Sequence, residues 1–265
     1  MATDRIWPPA RTQPNLQSPS PIGRAMTASL YPADFYDNRR AHTAHAARRL
    51  LSALPADLPR QSLADIGCGT GTWLATALAM GASSAYGIEG DWVTPDMLDD
   101  AAIAFTAHDL EQPFSLPRVD LALSLEVAEH LSPARAPGFV ADLVALAPAV
   151  LFSAAIPGQG GVGHVNEQWQ SWWAAHFATH GYTAHDVIRP VLWADDAIPA
   201  WYRQNAVLYL AAPLATHLGL TPTDPALLDT VHPSFWARAN RELAYANALP
   251  ESEVLRRQAQ QAQQQ

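Results

Sequence analysis

The chain has 265 residues, of which 49% are hydrophobic and 15% are charged, and its formal net charge is −9 at pH 7. It contains no lysine, which excludes a lysine Schiff base, a lysine-anchored pyridoxal phosphate and a Walker-type phosphate loop. The excess of acid argues against a nucleic-acid partner, because proteins that hold phosphates carry basic surfaces. The lone cysteine, Cys68, excludes a disulfide framework and a cysteine-rich zinc site.

Neither a membrane span nor a secretory signal is recognisable. No run of about 18 apolar residues occurs in the sequence. Residues 1–25 lack the apolar segment of a signal peptide. They are rich in proline and polar residues instead, which predicts a disordered arm. We therefore expect a soluble, cytoplasmic protein with no membrane partner.

Short apolar runs alternate with helical patterns through the middle of the chain. Strands are predicted over 62–66, 84–89, 103–106, 119–125, 149–154, 182–192 and 206–211. Helices are predicted over 41–54, 72–80, 134–146 and 168–180, and residues 193–205 are predicted as a loop. Such alternation indicates an α/β fold with a doubly wound, mostly parallel sheet of seven strands. Ligands of such sheets bind at the carboxyl ends of the strands, where the strand order reverses.

The C-terminal region is less periodic than the rest. Helix-like segments occur near 225–231 and 234–248, before a tail rich in glutamine and alanine. We therefore divide the chain into the arm of residues 1–25, a sheet domain of residues 26–213 and a helical extension of residues 214–265.

A glycine-rich loop follows the first predicted strand, and its sequence is Asp65-Ile66-Gly67-Cys68-Gly69-Thr70-Gly71-Thr72. Glycine lets the backbone turn tightly and lets a ligand approach the main chain, while the next helix points its first amides at the loop. A nicotinamide-binding loop has its third glycine where Thr72 stands, so a nicotinamide oxidoreductase is disfavoured. The acid Asp65 suits a cationic ligand better than a pyrophosphate.

Two further acids follow the next two strands. Glu89 ends the second strand, where a carboxylate can accept both ribose hydroxyls of a nucleoside. Asp109 follows the third strand, where it can accept a hydrogen bond from an adenine amino group. Together with Asp65 these acids share the loop side of the sheet, which predicts a pocket for a positively charged nucleoside.

The run from Asp65 to Gly71, with Glu89 and Asp109, resembles the signature of class I S-adenosylmethionine-dependent methyltransferases. The segment from Ser124 to Leu131 resembles the region after the fourth strand of the same family. Resemblance to a bacterial small-molecule subgroup of that family extends over residues 152–161, 164–169 and 201–205. It covers residues 30–212 in all and implies the Rossmann-like methyltransferase fold, with S-adenosylmethionine as the cofactor.

The resemblance also implies a set of cofactor-binding residues: Asp65, Gly67, Cys68, Gly69, Gly71, Glu89, Gly90, Asp109, Leu110, Ser124 and Glu126. Asp65, Gly67 and Gly69 would line the methionine and ribose, and Glu89 would hold the ribose hydroxyls. Asp109 and Leu110 would flank the adenine, while Ser124 and Glu126 would lie beneath the sulfonium. Cys68 is interpreted as a small residue of this loop rather than a nucleophile, because no base is assigned to it.

A short helical turn is expected after the fourth strand. Glu126 and His130 are four residues apart, so both can face one side of that turn. Two interpretations of His130 stay open. It acts near the acceptor as a general base, or it holds the geometry of the loop.

The loop after the fifth strand carries the other acceptor-side candidates, His164, Asn166 and Glu167. A glycine-rich loop at the open end of a sheet is where an acceptor would bind, and His164 can take up a proton near pH 7. The alternative is that Asn166 and Glu167 cap the helix starting near Gln168 while His164 packs. A metal site of His130, His164 and Glu167 is the weaker hypothesis because methyl transfer needs no metal, so no metal is predicted.

Aromatic residues are further candidates for contact with a substrate. A stripe along one helix is predicted to pack on the sheet as core, and it contains Trp169, Trp172, Trp173, His176 and Phe177. The residues predicted to bind substrate are Tyr31, Tyr36, His164, Trp169 and Tyr202. Tyr31 and Tyr36 precede the first helix, a segment that often closes over the cofactor in the family that the chain resembles.

These patterns favour an enzyme that transfers a methyl group to an oxygen or nitrogen of a metabolite, sugar or natural-product intermediate. The alternative reaction on the same cofactor is its cleavage or cyclisation, which releases methylthioadenosine and a four-membered imino acid. A non-catalytic module that senses the cofactor is a third hypothesis. The partner expected in each enzymatic case is a small molecule.

Overall fold

The computed structural model describes the backbone of residues 33–248 and the side chains of residues 42–245 and 247. The predicted N-terminal arm, Tyr31 and the glutamine-rich tail therefore lie outside the described residues. Tyr36 belongs to a described helix, but its side chain also lies outside that set. No helix in this part of the chain is long and apolar enough to cross a membrane.

Seven strands form one sheet: β1 (Ser62–Ile66), β2 (Ser84–Glu89), β3 (Ala104–Ala107), β4 (Leu121–Leu125), β5 (Ala149–Ser153), β6 (Tyr182–His185) and β7 (Val207–Ala211). Their order in the sheet is β3-β2-β1-β4-β5-β7-β6. Every neighbouring pair is parallel except the two pairs of β7, which runs antiparallel to β5 and to β6. The predicted doubly wound, mostly parallel sheet of seven strands is confirmed.

The helices of the described residues are α1 (Ala33–Ala53), α2 (Thr72–Ala79), α3 (Ala136–Leu146), α4 (Gln170–Ala178), α5 (Arg189–Leu192), α6 (Ala200–Asn205), α7 (Ala212–His217) and α8 (Pro233–Ala248). Single 3-10 turns occur at Pro95–Met97, Ala128–His130 and Pro225–Leu227. The turn at Ala128–His130 is the short helical turn expected after the fourth strand.

Two hydrophobic clusters cover the two faces of the sheet, because successive side chains of a strand point to opposite faces. In β1, Leu63 packs into the cluster that includes α1 and α2, while Ala64 packs into the cluster that includes α3 and α4. The predicted aromatic stripe on α4 contributes two fully buried rings to the second cluster, Trp173 and Phe177. The ring of Phe177 stacks on Tyr209 of β7 with 3.9 Å between centroids.

The strand predicted over 182–192 is wrong beyond His185. The chain leaves the sheet there, and the guanidinium of Arg189 pairs with the Asp186 carboxylate three residues earlier, with 2.8 Å between Nε and Oδ1. Pro190 in the first turn of α5 fits a helix start, whereas a strand would need its missing amide. The apolar residues Ile188 and Leu192 are buried by this turn rather than by a strand.

The loop predicted over 193–205 is also wrong, because its last six residues form α6. Polar side chains obscured this helix in the sequence. Arg203, Gln204 and Asn205 are 4%, 0% and 1% exposed, so most of their polar groups find partners inside the protein rather than in water. For example, Nη1 of Arg203 donates to the Trp193 carbonyl at 2.9 Å.

Strand order reverses between β1 and β4, so the carboxyl ends of these two strands border the position where ligands of such sheets bind. The loops after β2 and β5 border it from either side. The chain beyond α7 returns to this part of the molecule, where the amide of His232 donates to Oε1 of Gln204 at 2.7 Å.

Candidate functional site

The loop after β1 turns on three glycines with left-handed backbone. The φ angles of Gly67, Gly69 and Gly71 are +86°, +54° and +78°. The Gly67 amide donates to the Ile88 carbonyl at 2.9 Å, which ties the loop to β2. A Cβ on Gly67 would lie 2.3 Å from Cγ2 of Val127, so both the conformation and the available space require glycine there.

Asp65 lies in β1 just before this loop and is 2% exposed. Its Oδ2 atom is buried and accepts no hydrogen bond from the described part of the chain. Burial, with a smaller contribution from the charge of Glu89, raises the pKa of Asp65 to about 8. A buried polar atom without a partner costs about 1–3 kcal/mol. The position is therefore suited to a cationic ligand group that donates hydrogen bonds.

The carboxylate of Glu89 connects the end of β2 to the glycine loop. Its Oε2 accepts from the Gly69 amide and its Oε1 from the Gly90 amide, both at 2.9 Å. Burial raises the pKa of Glu89, while these two amide bonds act in the opposite direction. Each carboxylate oxygen keeps a second acceptor position, so the group is oriented and can still accept two hydroxyls. The Trp92 ring lies beside Gly90, where a Cβ would come within 2.1 Å of it.

Asp109 and Leu110 follow β3 and differ in exposure. Asp109 is exposed, and its Oδ1 accepts from the Glu111 amide at 3.0 Å, which fixes the turn. Leu110 is 8% exposed and packs in the cluster with α3 and α4. The acid is thus open to a ligand, while most of the leucine side chain serves the core.

Cys68 is buried within the glycine loop and packs against Gly87, where a Cβ would lie 2.8 Å from Sγ. Burial and the two neighbouring acids raise the pKa of its thiol. A thiol that resists ionisation is a poor nucleophile, so the space-filling interpretation of Cys68 agrees with its surroundings.

The backbone after β4 adopts a left-handed conformation at Glu126, whose φ of +58° is the only positive value among the described non-glycine residues. Such a conformation costs a non-glycine residue about 1–2 kcal/mol. The Glu126 carboxylate is held on both sides: Nδ2 of Asn205 donates to Oε1 at 3.0 Å, and Nε2 of Gln159 donates to Oε2 at 3.1 Å. Burial raises the pKa of Glu126, and these bonds oppose the rise. Ser124, just before it, is fully buried, and its Oγ has no partner among the described residues.

Asn166 and Glu167 do not cap α4, so that expectation is wrong. The N-cap of the helix is Trp169, which makes no side-chain cap bond, and the amide of Ser171 in the first turn donates to Oδ1 of Asp229 at 2.8 Å instead. The Glu167 carboxylate instead accepts from the amides of Gly158 and Gly160, both at 2.8 Å, and so closes the glycine-rich loop on itself. The Asn166 side chain is 2% exposed, and its Nδ2 has no partner within the described residues.

The imidazole of His164 lies between two acids. Its Nδ1 is 2.8 Å from Oε1 of Glu167, and its Nε2 is 3.9 Å from Oε1 of Glu129. Glu129 is 1% exposed, and burial together with the charge of Glu126 raises its pKa well above the ordinary value. The His130 ring meets the His164 ring edge to face at 4.9 Å between centroids. Burial and the neighbouring His164 lower the pKa of His130.

Trp169 and Tyr202 lie in different surroundings. Trp169 is 37% exposed at the start of α4, beyond the glycine-rich loop. Tyr202 on α6 packs edge to face on Trp73 of α2 at 5.3 Å between ring centroids. Burial, with the charge of Glu126 as the next cause, raises the pKa of its phenol.

Four residues of the site were not predicted from the sequence as functional: Trp92, Glu129, Gln159 and Asn205. Gln159 and Asn205 lie in the two segments that resemble the small-molecule subgroup, so a signal was present but no role followed from it. Glu129 was not predicted, because the four-residue spacing of Glu126 and His130 gives no separate signal for the acid between them.

No protein-family model and no curated protein matches the chain. Among solved structures, it is similar to magnesium protoporphyrin IX methyltransferase (ChlM) from Synechocystis PCC 6803, at 16% identity over 66% of this chain and 86% of that one, with a TM-score of 0.49. It is also similar to CalO1, a methyltransferase in calicheamicin biosynthesis, at 14% identity over 68% and 59% of the two chains, with a TM-score of 0.44. It is similar as well to human N-acetylserotonin methyltransferase, at 12% identity over 70% of this chain and 60% of that one, with a TM-score of 0.45.

Proposed function

We propose that this chain is an S-adenosylmethionine-dependent methyltransferase that acts on an oxygen or nitrogen of a small molecule. The observation that carries the proposal is the buried Oδ2 of Asp65, which has no partner among the described residues and lies beside the glycine loop at the strand-order reversal. A carboxyl group in such a place needs a cation that donates hydrogen bonds. The cofactor has an ammonium group and a sulfonium, and no phosphate.

The surrounding residues fit the rest of that cofactor. Asp65 would hold the ammonium group, and Glu89, oriented by the Gly69 and Gly90 amides, would accept the ribose hydroxyls. Asp109 is exposed at the place where an adenine amino group can donate to it. Gly67, Gly69 and Gly71 carry no side chains that could keep a ligand away from the loop backbone.

The cofactor supplies an electrophilic methyl group when bound, and the chain supplies alignment and a site from which water is excluded. Positioning of two reactants can contribute several kcal/mol to catalysis. Glu126 cannot swing freely, because Asn205 and Gln159 each hold one of its oxygens. It therefore presents a fixed negative charge beside the loop after β4. That charge would stabilise the positive sulfonium of the bound cofactor before and while the acceptor approaches it.

The acceptor side is the pair of His164 and Glu167. The carboxylate accepts the Nδ1 proton of the imidazole, so Nε2 is left as the basic atom. An acceptor hydroxyl or ammonium that must lose a proton would transfer it to Nε2, provided that no other group is bound to that nitrogen. Trp169, half-exposed beyond the same loop, offers an apolar surface for the body of a small acceptor.

Mass spectrometry of the cofactor products tests the proposal. We expect S-adenosylhomocysteine only when a pool of hydroxyl and amine acceptors is added, and one pool member heavier by a methyl group. Asp65→Asn should abolish turnover, whereas Asp57→Asn, on an exposed acid away from the site, should not change it. Methylthioadenosine formed without any acceptor would instead establish the cleavage or cyclisation reaction.

A further inference from the structure

Three side chains from two loops bring their ligand-type atoms together beside the acceptor side of the site. One atom from each of Glu129, His130 and His164 lies within 4.8 Å of the other two. Glu129 and His130 belong to the 3-10 turn after β4, and His164 belongs to the glycine-rich loop after β5. The two loops are joined by the Glu129 carbonyl, which accepts from the amides of Val165 and Asn166 at 2.8 and 3.0 Å.

Both imidazoles are held through Nδ1, which leaves Nε2 for a ligand. Nδ1 of His164 is 2.8 Å from the Glu167 carboxylate, and Nδ1 of His130 is 3.2 Å from the Gly163 carbonyl. Donation through Nδ1 to a carboxylate or a backbone carbonyl is the arrangement that orients metal-binding histidines. It fixes the tautomer in which Nε2 carries a lone pair.

One oxygen of the buried acid of the cluster has no partner within the described residues. Glu129 is 1% exposed, and its Oε2 accepts no hydrogen bond from the described residues. Nε2 of His164 lies 3.9 Å from Oε1 of Glu129, which is too far for a hydrogen bond. A cation that reaches the carboxylate from the cluster would supply a partner for this oxygen.

Glycines keep this arrangement open. A Cβ on Gly161 would lie 2.2 Å from Nε2 of His164, so any larger residue would push the imidazole away. The Gly163 carbonyl that holds His130 depends on a φ of +75° at that glycine. The loop sequence is thus suited to placing two imidazoles against one buried carboxylate.

We propose that Glu129, His130 and His164 bind a divalent transition-metal ion such as Zn²⁺, Mn²⁺ or Fe²⁺. Two imidazoles and one carboxylate suit these ions, whereas Mg²⁺ and Ca²⁺ take mostly oxygen ligands. In a tetrahedral site the ligand atoms are about 3.4 Å apart, because each lies about 2.1 Å from the metal. The present atoms, which lie within 4.8 Å of one another, would therefore close by up to about 1.4 Å through side-chain rotations.

The metal site also narrows the acceptor, and this part rests on the proposed function. With an ion bound, Nε2 of His164 is a ligand and no longer a base. An acceptor with a hydroxyl, or with two neighbouring oxygens, would coordinate the open positions of the ion. Coordination lowers the pKa of the hydroxyl, its proton passes to solvent water, and the oxygen lone pair forms the bond to the methyl carbon as the bond from sulfur to that carbon breaks.

Titration with Co²⁺, followed by its visible absorption, tests the site in tag-free protein that has been treated with a chelator. We expect one Co²⁺ per chain in the wild type. His164→Ala and Glu129→Gln should weaken binding at least 100-fold, and Glu167→Gln, which removes an orienting carboxylate, about 10–100-fold. His217→Ala, at an exposed histidine outside the cluster, is the matched control and should bind as the wild type does.

Absence of stoichiometric Co²⁺ binding, or equal binding by the double variant His130→Ala/His164→Ala, would overturn the proposal. Circular dichroism of the same variants shows whether they are folded. Their S-adenosylmethionine affinity shows separately whether the proposed function holds. A folded His164→Ala protein that keeps its cofactor affinity and loses Co²⁺ supports the site. Chelator-treated wild type that retains full methyl transfer would refute a role for the ion in the reaction.

Discussion

Oε2 of Glu89 accepts a hydrogen bond from the amide of Gly69 at 2.9 Å, so the acid at the end of β2 and the glycine loop after β1 are one unit. The bond fixes the orientation of the carboxylate that, under the proposed function, would accept the ribose hydroxyls. Such preorganisation reduces the entropy that binding must overcome. The predictions that follow depend on groups that are positioned in this way.

The pH dependence of cofactor binding should report Asp65. Its pKa of about 8 means that the carboxyl carries a proton at pH 6–7 in the free protein, and this proton must leave when an ammonium group binds. The ligand ammonium itself stays charged below about pH 7.7. Between pH 6 and 7.5 the affinity should therefore rise, by up to about tenfold per pH unit.

Calorimetry in two buffers with different ionisation enthalpies measures the released proton directly. We expect close to one proton per chain at pH 6.5. Asp65→Asn has no carboxyl proton to release, so any residual binding in that variant should be independent of pH over this range. Equal proton release in both proteins would show that another group titrates.

Gly67→Ala and Gly69→Ala form a matched pair. Both positions have left-handed backbone, so alanine costs each about 1–2 kcal/mol of conformational strain. Only Gly67 lacks space, since its Cβ would meet Val127 at 2.3 Å, whereas nothing lies within 4 Å at Gly69. Chemical denaturation should show that Gly67→Ala lowers the free energy of unfolding by about 1–3 kcal/mol more than Gly69→Ala does. The double variant Gly67→Ala/Val127→Ala should regain part of that difference, and no recovery would contradict the steric explanation.

Asn205→Ala should destabilise the protein because it leaves the buried carboxylate of Glu126 short of a donor. The expected loss in the free energy of unfolding is about 1–3 kcal/mol, measured by urea denaturation. Asn240→Ala, at an exposed asparagine of α8, should change it by less than about 0.5 kcal/mol. Similar values for the two variants would show that Glu126 does not depend on α6.

Cys68 should be inert in the folded protein. Its thiol is buried and its pKa is raised, so the reactive thiolate is scarce. Because the chain has one cysteine, a thiol reagent such as dithiobis(nitrobenzoate) reports this site alone. We expect the native protein to react at least about 100-fold more slowly than the denatured one. Rapid labelling of the native state would contradict the burial and reopen the nucleophile interpretation.

Much of the sheet was predictable because β1, β2 and β4 are largely apolar runs that end at glycines or acids. β1 and β2 match the predicted bounds residue for residue. The errors fall where tertiary contacts decide the local structure. Arg189 at the start of α5 donates to the carbonyls of Gln204 and Leu228, and α6 buries polar residues whose partners lie elsewhere in the fold.

The candidate site shows the same division. Asp65, Glu89 and Asp109 were located by their places after consecutive strands. The hydrogen bond from Asn205 that orients Glu126 was not predictable, because the two residues are 79 positions apart in the sequence. Two further features depend on the folded structure rather than on any local sequence pattern. They are the left-handed backbone at Glu126 and the hydrogen bonds that Glu167 accepts from two loop amides.

Titration calorimetry with S-adenosylmethionine at pH 7, comparing the wild type with Asp65→Asn, tests the central claim most directly. We predict one binding site per chain in the wild type and an affinity at least about 100-fold lower in the variant, since a buried ion pair loses its negative partner. Equal affinities in the two proteins, or no binding by the wild type, would contradict the assignment of this pocket to a cationic nucleoside.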